Sequence, residues 1–219
     1  MHIPKVAGQS IETIFLQDLG LSWDERHELL LRKKKNNEAG PYRLAHLKAK
    51  EYLEYNYIDK ETFDSYFKFS FVRNPYKRLL SVYNYLGYSR IISFTDFVGK
   101  VVKKALERDD FFYSPQYEYL YDEGKLMMDF VGKLENIKVD MKQVLIKTRL
   151  AGKEIPHVNK SEKGLKRGLA ALIKTPRLWT RIKFRSLFST RRKLNLNEEE
   201  RALVYELYQK DFEYFNYEP

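Results

Sequence analysis

Aromatic and apolar residues alternate with polar ones in residues 67–72, and a second apolar stretch covers residues 128–134. Both patterns predict β-strands, and Arg73-Asn74-Pro75 ends the first of them. A helical pattern follows each strand after a short connection. Strands that alternate with helices in this way usually lie parallel in one sheet. The sequence therefore predicts an α/β fold with a central parallel sheet flanked by helices.

Apolar residues at helical spacing predict the remaining elements, and capping residues mark several of their starts. Asp59 is a predicted N-cap, Pro75 suits the first turn of a helix, and Asn197 with Glu200 resembles a capping box. The predicted helices cover residues 8–19, 47–55, 60–66, 76–85, 94–106, 140–150 and 197–210. No internal repeat is visible, and the 219 residues suit one domain over 1–219.

A short loop before the first predicted helix carries the chemistry of an anion site. Backbone amides at a helix N-terminus are unpaired, and the helix dipole adds positive charge. Lys5 adds a full charge, Gly8 permits close backbone approach, and Ser10 adds a hydroxyl donor. The nucleoside-triphosphate P-loop places its lysine after the second glycine, whereas this lysine precedes the glycine. The predicted cradle consists of Lys5, Val6, Ala7, Gly8, Gln9 and Ser10.

A strand should precede this loop, but only three residues stand before Pro4. Strands usually contain about 5 residues. The sequence therefore predicts a shortened first strand or a true start further upstream.

Arg73 and Ser81 form a second candidate site. Arg73 ends a predicted central strand, and ligands of open α/β sheets bind at the carboxyl ends of strands. Its guanidinium can hold a phosphate through two parallel hydrogen bonds. Ser81 follows about two helical turns later. The alternative is that both residues are structural, with Arg73 in an ion pair and Ser81 packed in its helix. The presence of the first loop in the same sequence favours ligand binding instead.

Composition narrows the function classes. The chain has no cysteine, which excludes disulfides and thiolate metal sites. Its net charge is +10, and residues 163–193 hold 11 Lys or Arg with no Asp or Glu. The excess positive charge therefore lies in one segment. Nucleic acid, an acidic glycan or an anionic membrane could bind there, and the alternative is that the segment is only a solvated surface.

Two motifs together resemble a known family. Residues 2–10 read HIPKVAGQS and residues 71–83 read FVRNPYKRLLSVY. Both resemble the sulfotransferases that use phosphoadenosine phosphosulfate (PAPS), in the carbohydrate, Golgi-type branch that includes the heparan 2-O-sulfotransferases. Further similar stretches are residues 110–116, 130–136, 156–161 and 205–217. The resemblance implies a P-loop-like sulfotransferase fold with PAPS as donor, PAP as product and no metal.

The resemblance also implies residue roles. The first loop would hold the 5′-phosphosulfate, while Arg73 and Ser81 would hold the 3′-phosphate. Gln9 stands where the family usually has threonine, so a backbone amide replaces a hydroxyl contact. Lys5 would stabilise charge on the leaving oxygen during an in-line displacement.

Acceptor activation requires a base, and His46 is the candidate. Histidine suits proton transfer near neutral pH. Related 2-O-sulfotransferases carry a catalytic histidine between the two nucleotide motifs, which is where His46 lies. His157 and Asn159 lie in a polar loop, and with Glu135 they are expected to bind substrate; His157 is also the rival to His46 as the base. Glu135 could instead be structural or a second base.

Residues 163–193 depart from the family pattern. Their apolar residues interleave with lysine and arginine, which predicts a basic amphipathic helical insertion, or two helices broken at Pro176. The expected acceptor is a hydroxyl-bearing molecule, namely a glycan. An anionic membrane or an acidic glycan is expected to contact this insertion, and no nucleic-acid partner is expected.

Two other functions fit parts of the sequence. One is a nucleotide-dependent kinase, although the lysine order and the missing magnesium aspartates disfavour it. The other is a non-catalytic PAP-binding protein that docks on anionic surfaces. No signal peptide and no apolar run of about 20 residues is visible, which with the absence of cysteine predicts a cytoplasmic protein. The basic segment 163–193 adds the expectation of membrane association.

Overall fold

The structure, a computed structural model, describes residues 1–156 and 195–219 of the chain. Their contacts divide into two units: residues 1–73 with 116–156, and residues 74–115 with 195–219. The single domain over residues 1–219 stays a prediction. The predicted insertion over residues 163–193 lies outside the described residues.

The predicted elements occur in the predicted order, and the structure adds elements over residues 116–126 that were not predicted. The strands are β1 (Phe69–Val72), β2 (Tyr121–Asp122), β3 (Lys125–Leu126) and β4 (Phe130–Lys133). The α-helices are α1 (Gly8–Asp18), α2 (Glu51–Glu54), α3 (Lys60–Ser65), α4 (Pro75–Tyr85), α5 (Phe94–Asp96), α6 (Lys103–Leu106), α7 (Gln116–Leu120), α8 (Ile137–Lys147) and α9 (Glu198–Tyr214). No helix within residues 1–156 and 195–219 is both long and apolar enough to cross a bilayer.

The first unit is organised around a parallel pair, β1 and β4, in which Phe69 lies opposite Phe130 and Val72 opposite Lys133. β2 and β3 form a separate antiparallel hairpin. The pair begins later than predicted because the Asp129 carboxylate accepts a hydrogen bond from the Lys68 amide at 2.6 Å. The α/β class with a parallel pairing is confirmed. The P-loop-like topology stays a prediction.

A glycine in β4 leaves room for an aromatic ring of β1. Gly132 lies opposite Phe71 in the register of the pair. A Cβ at position 132 would meet the Phe71 ring at 2.5 Å, closer than side chains approach. The Phe71 ring therefore lies in the space that the glycine leaves open.

The residues before the first loop run beside β1. The Met1 nitrogen donates to the Phe69 carbonyl at 3.1 Å, and the Ser70 hydroxyl donates to the Met1 carbonyl at 3.2 Å. Ile3 is fully buried. This short stretch lies beside β1 although it is not itself a regular strand.

Helix boundaries agree with prediction where local signals define them. α1 buries Ile11 and Ile14, and Asp59 caps α3 by accepting from the Thr62 amide. Asn197 and Glu200 form the predicted capping box at the start of α9. The predicted caps and the amphipathic first helix are therefore confirmed.

The predicted helix over residues 47–55 is wrong in its first half. Residues Leu44–His46 form one 3₁₀ turn, and only Glu51–Glu54 is α-helical. The Lys48 amide donates to the Glu51 carboxylate, and the Ala49 amide donates to the Tyr119 carbonyl at 2.8 Å. Leu47 has an extended backbone, with φ −61° and ψ 139°, so the 3₁₀ turn and α2 are not one continuous helix.

The second unit has an aromatic core. α4, α5, a π-helical turn at Phe97–Val102 and α9 enclose it, so the helix predicted over 94–106 is interrupted by a wider turn. The Tyr83 hydroxyl donates to the Ile92 carbonyl at 2.6 Å, and the Tyr208 hydroxyl donates to the Tyr113 carbonyl at 2.7 Å. Each buried hydroxyl therefore has an acceptor.

Arg78 is a buried cation within the same unit. It is 2% exposed, and its guanidinium donates to the carbonyl oxygens of Ser114 at 3.1 Å and Phe112 at 3.4 Å. Carbonyl dipoles thus replace part of the water that the guanidinium loses on burial. Arg78 fixes the loop that precedes Pro115.

Candidate functional site

The loop before α1 has an unusual backbone. Lys5 and Ala7 both have positive φ angles, 73° and 68°, although neither is glycine. Such conformations cost about 1–3 kcal/mol each and are concentrated at binding and catalytic sites. The loop therefore has a shape that local preference alone does not explain.

The N-terminus of α1 is open. Its N-cap, Ala7, makes no side-chain capping bond, and no acidic residue lies in the first turn. The Ser10 amide bonds back to the Ala7 carbonyl at 3.0 Å. Within the described part of the chain, the Gly8 and Gln9 amides have no protein acceptor. Two donors and the positive end of the dipole are thus available to an anion.

Arg73 belongs to the same site. It directly follows β1, and its Nη1 donates to the Lys5 carbonyl oxygen at 3.3 Å. The fully buried Gln116 side chain accepts from the Arg73 amide at 2.9 Å and donates to the Arg73 carbonyl at 2.8 Å. Gln116 therefore fixes the backbone from which the guanidinium extends to the loop.

His2 packs directly on Gly8. A Cβ built on Gly8 would lie 2.0 Å from His2 Nε2. The other ring nitrogen, Nδ1, lies 2.5 Å from Glu12 Oε1, on the same face of α1 as Gly8. Gly8 is thus required by the imidazole that covers it, a reason that adds to the close ligand approach expected from sequence.

His46 is held next to His2. Its Nδ1 lies 3.0 Å from the His2 backbone oxygen, and the two rings meet edge to face with centroids 4.6 Å apart. A carbonyl oxygen can only accept, so His46 Nδ1 carries a proton. The neutral ring therefore keeps its basic lone pair on Nε2, the arrangement that a general base requires.

A cavity of about 230 Å³ lies beside His2 and α1. His2, Gly8, Glu12 and Tyr52 line it together with apolar side chains from α1, β1 and residues 29–31. Burial raises the pKa of Tyr52 to about 12, and the charges of Glu12 and Glu51 add to the increase. Tyr52 is therefore a neutral hydroxyl at physiological pH.

The other predicted site residues lie on other elements or outside the described part of the chain. Ser81 lies half-buried on α4 in the second unit, and Glu135 is exposed in the 3₁₀ turn Leu134–Asn136. His157 and Asn159 lie outside the described residues. Within residues 1–156 and 195–219, no cluster of three or more His, Asp or Glu could hold a metal ion.

Sequence reasoning missed Glu12 and Gln116. Glu12 stands one helical turn after Gly8, so the spacing on α1 could have placed it on the loop side of the helix. Gln116 pairs with a residue 43 positions away. No local signal indicates that pairing.

Comparison with known proteins identifies relatives of the chain. A family model described as "Sulfotransferase family" matches residues 1–218. An uncharacterised protein of Archaeoglobus fulgidus is 34% identical over 101 residues, which are 43% of this chain and 78% of the relative. No solved structure matches the chain.

Proposed function

The chain belongs to the sulfotransferase family, and from this premise we propose that it transfers a sulfuryl group from PAPS to a hydroxyl of a carbohydrate acceptor. His46 acts as the general base, and the loop before α1 holds the donor. The carbohydrate branch, of the heparan 2-O-sulfotransferase type, is part of the proposal and rests on the two sequence motifs.

The observation that carries the proposal is the hydrogen bond from His46 Nδ1 to the His2 carbonyl oxygen, 3.0 Å long. It leaves the basic lone pair on Nε2, and His2 in turn packs on Gly8 of the donor loop. The candidate base is thus two contacts away from the candidate donor site. A base must lie within hydrogen-bond reach of the acceptor hydroxyl when both substrates are bound.

The loop residues fit a phosphosulfate. The Gly8 and Gln9 amides, which lack an acceptor in the described residues, point from an uncapped helix end, and Arg73 extends to the same loop. Val6 and Ala7 carry the backbone of the loop, and Ser10 supplies its hydroxyl. PAPS supplies an activated sulfuryl group and departs as PAP. Arg73 and Ser81 are assigned to the 3′-phosphate by the motif that contains both.

The chain's own residues carry the remaining steps. His46 Nε2 accepts the proton of the acceptor hydroxyl, whose oxygen forms the new bond to sulfur. Lys5 stabilises the negative charge on the phosphate oxygen as its bond to sulfur breaks. As in phosphoryl transfer, alignment and charge stabilisation supply most of the catalysis.

The acceptor and its contacts are also proposed. The 11 basic residues within 163–193, without an acidic residue among them, suit an acidic glycan or an anionic membrane surface that presents the acceptor. Glu135, His157 and Asn159 are assigned to acceptor binding by the same motifs. Transfer of labelled sulfate to a panel of acidic and neutral glycans identifies the acceptor class, and a preference for neutral glycans would overturn the role of the basic segment.

The donor is tested first by thermal stabilisation. PAP should raise the melting temperature, whereas ATP with magnesium should not. Stabilisation by ATP-magnesium alone would support a kinase instead. Stabilisation by neither nucleotide would overturn the donor assignment.

The base is tested by His46→Ala. We expect turnover to fall by about 10²–10⁴-fold while PAP still stabilises the protein. His27→Ala is the matched control, because His27 is exposed and lies outside this site. Full activity of His46→Ala would remove the base role. If no acceptor is sulfated by the unaltered protein although PAP binds, a non-catalytic nucleotide-binding protein is the better description.

A further inference from the structure

His2 makes three contacts that join separate parts of the first unit. Its ring lies over Gly8, its Nδ1 meets Glu12, and its backbone oxygen accepts from His46 Nδ1. Gly8 and Glu12 lie on α1, whereas His46 ends the 3₁₀ turn Leu44–His46. One residue therefore contacts both the donor helix and the candidate base.

We propose that Glu12 and His2 are positioning residues that hold the His46 imidazole in its reactive orientation. This inference rests on the proposed function, because it assigns Glu12 and His2 to the same reaction. Glu12 holds the His2 ring against Gly8, and the His2 main chain then holds His46. Neither residue needs to touch the donor or the acceptor.

The hydrogen-bond inventory supports this chain of contacts. The Glu12 carboxylate can only accept, so His2 Nδ1 donates to it; the His2 carbonyl can only accept, so His46 Nδ1 donates to it. The His2 and Glu12 side chains are 15% and 14% exposed, and their contact is 2.5 Å long. Shielding from water strengthens such a charge-assisted bond.

Other polar groups near Glu12 do not replace His2. The Met1 ammonium interacts with the Glu12 charge, but its hydrogen bond goes to the Phe69 carbonyl. Tyr52 also lies in the field of Glu12. Within the described residues, only His2 makes a hydrogen bond to the Glu12 carboxylate. Loss of Glu12 therefore acts first on His2.

The edge-to-face contact of the two imidazoles gives the arrangement a second constraint. With centroids 4.6 Å apart and an interplanar angle of 69°, a rotated His2 ring would no longer support the His46 ring. Rotation of His46 about its side chain would move Nε2 away from the acceptor oxygen. Misplacement by about 1 Å can lower a rate by about 10²-fold.

The experiment compares Glu12→Ala with Glu12→Gln. In Glu12→Ala, we expect kcat to fall by about 10–100-fold, in the range found for residues that orient a functional group, with the KM for PAPS and the PAP-induced thermal shift unchanged. In Glu12→Gln, the amide oxygen still accepts from His2 Nδ1, so most of kcat should return. Glu61→Ala is the control, because Glu61 is an exposed acid of the same unit on α3.

A second measurement needs no substrate. Nitrogen-15 NMR of the histidine rings reports which nitrogen carries the proton. We expect His46 to be protonated at Nδ1 in the unaltered protein and in Glu12→Gln, and to become a mixture of tautomers in Glu12→Ala.

The outcomes separate this inference from the proposed function. An unchanged His46 tautomer and unchanged kcat in Glu12→Ala would overturn it, as would equal losses in Glu12→Ala and Glu12→Gln. If the protein sulfates no acceptor, the proposed function fails. The NMR comparison then still decides whether Glu12 holds His46 through His2.

Discussion

The N-termini of α1 and α4 differ in whether a side chain of the protein caps them. α4 is closed by its own chain: Asn74 accepts from the Lys77 amide at 3.2 Å, and Pro75 occupies the first turn. The N-cap of α1, Ala7, has a left-handed conformation, and this end has no side-chain cap and no acid in its first turn. Since a cap contributes about 1 kcal/mol, α1 lacks this stabilisation, and its Gly8 and Gln9 amides have no acceptor within the described residues.

The largest effect should come from Gly8→Ala. The added Cβ would lie 2.0 Å from His2 Nε2, so the loop before α1 and the His2 ring must move apart, which displaces the loop itself. We expect the PAP-induced thermal shift to shrink and turnover to fall by about 100-fold or more. Sulfate transfer and thermal shift measure the two effects.

Gly99→Ala is the control for that substitution. A Cβ at Gly99 finds no atom within 4 Å, so we expect activity and the PAP shift to be retained. Normal PAP binding by Gly8→Ala would mean that the open end of α1 does not hold the donor.

The next largest effect should come from placing an acidic residue in the first turn of α1, compared with the same change in the first turn of α4. Gln9→Glu should stabilise the free protein by about 0.3–1 kcal/mol through the helix dipole. It should also weaken PAP binding at least about tenfold, because like charges a few ångströms apart repel by more than 1.4 kcal/mol. Titration calorimetry measures the expected loss of PAP affinity, and thermal melts measure the expected gain in stability of the free protein.

Lys77→Glu is the matched change in the first turn of α4. It completes a capping box with Asn74 and should raise the melting temperature with PAP affinity unchanged. A loss of affinity equal to that of Gln9→Glu would show that the two ends do not differ in function.

A smaller effect is expected at a closed end in the second unit. Asn197→Ala removes the side chain that accepts from the Glu200 amide at 2.8 Å. We expect a loss of about 1 kcal/mol, which lowers the melting temperature by about 2–4 °C. Asn197→Asp retains an acceptor and should remain close to the unaltered protein. Equal melting temperatures for the unaltered protein and both variants would mean that this cap does not stabilise the fold.

The smallest effect should appear only in acid. Hydrogen bonds from the Thr62 amide and hydroxyl hold the pKa of Asp59, the α3 cap, below its usual value of 3.8. The contribution of the charged cap is therefore complete above pH 3.8 and is lost as the pH falls through the lower, folded-state value.

Asp59→Asn keeps a capping side chain but cannot titrate. Its melting temperature should match that of the unaltered protein at pH 7, and only its fall below pH 4 should be less steep. If the melting temperatures of the two proteins fell by the same amount as the pH was lowered, this account of the α3 cap would be wrong.

What the sequence predicted correctly was encoded locally. Asp59, Pro75 and Asn197 are residue types that favour helix starts. The apolar spacing of α1 and the aromatic pattern of β1 are likewise visible within short stretches of sequence. The family match over residues 1–218 confirms a sulfotransferase. The carbohydrate branch and the residue roles stay predictions.

What the sequence did not predict depends on distant partners. After the 3₁₀ turn that ends at His46, the Ala49 amide bonds to the Tyr119 carbonyl, 70 residues away. The bond between Gln116 and the Arg73 backbone spans 43 residues. Glu12 was visible as a helix residue, but its contact with His2 depends on the fold of the loop. Such pairings cannot be read from a single sequence.

The glycine opposite Phe71 has a consequence for engineering this protein. A designer who ranks substitutions by strand preference would replace Gly132 with valine, since glycine weakens strands. Yet the pairing of β1 with β4 extends over only four residue pairs, and sliding by one position would bring Phe71 against Val131 or Lys133, each of which carries a Cβ. Gly132 thus discriminates against misaligned pairings, and libraries that vary β4 should leave it constant.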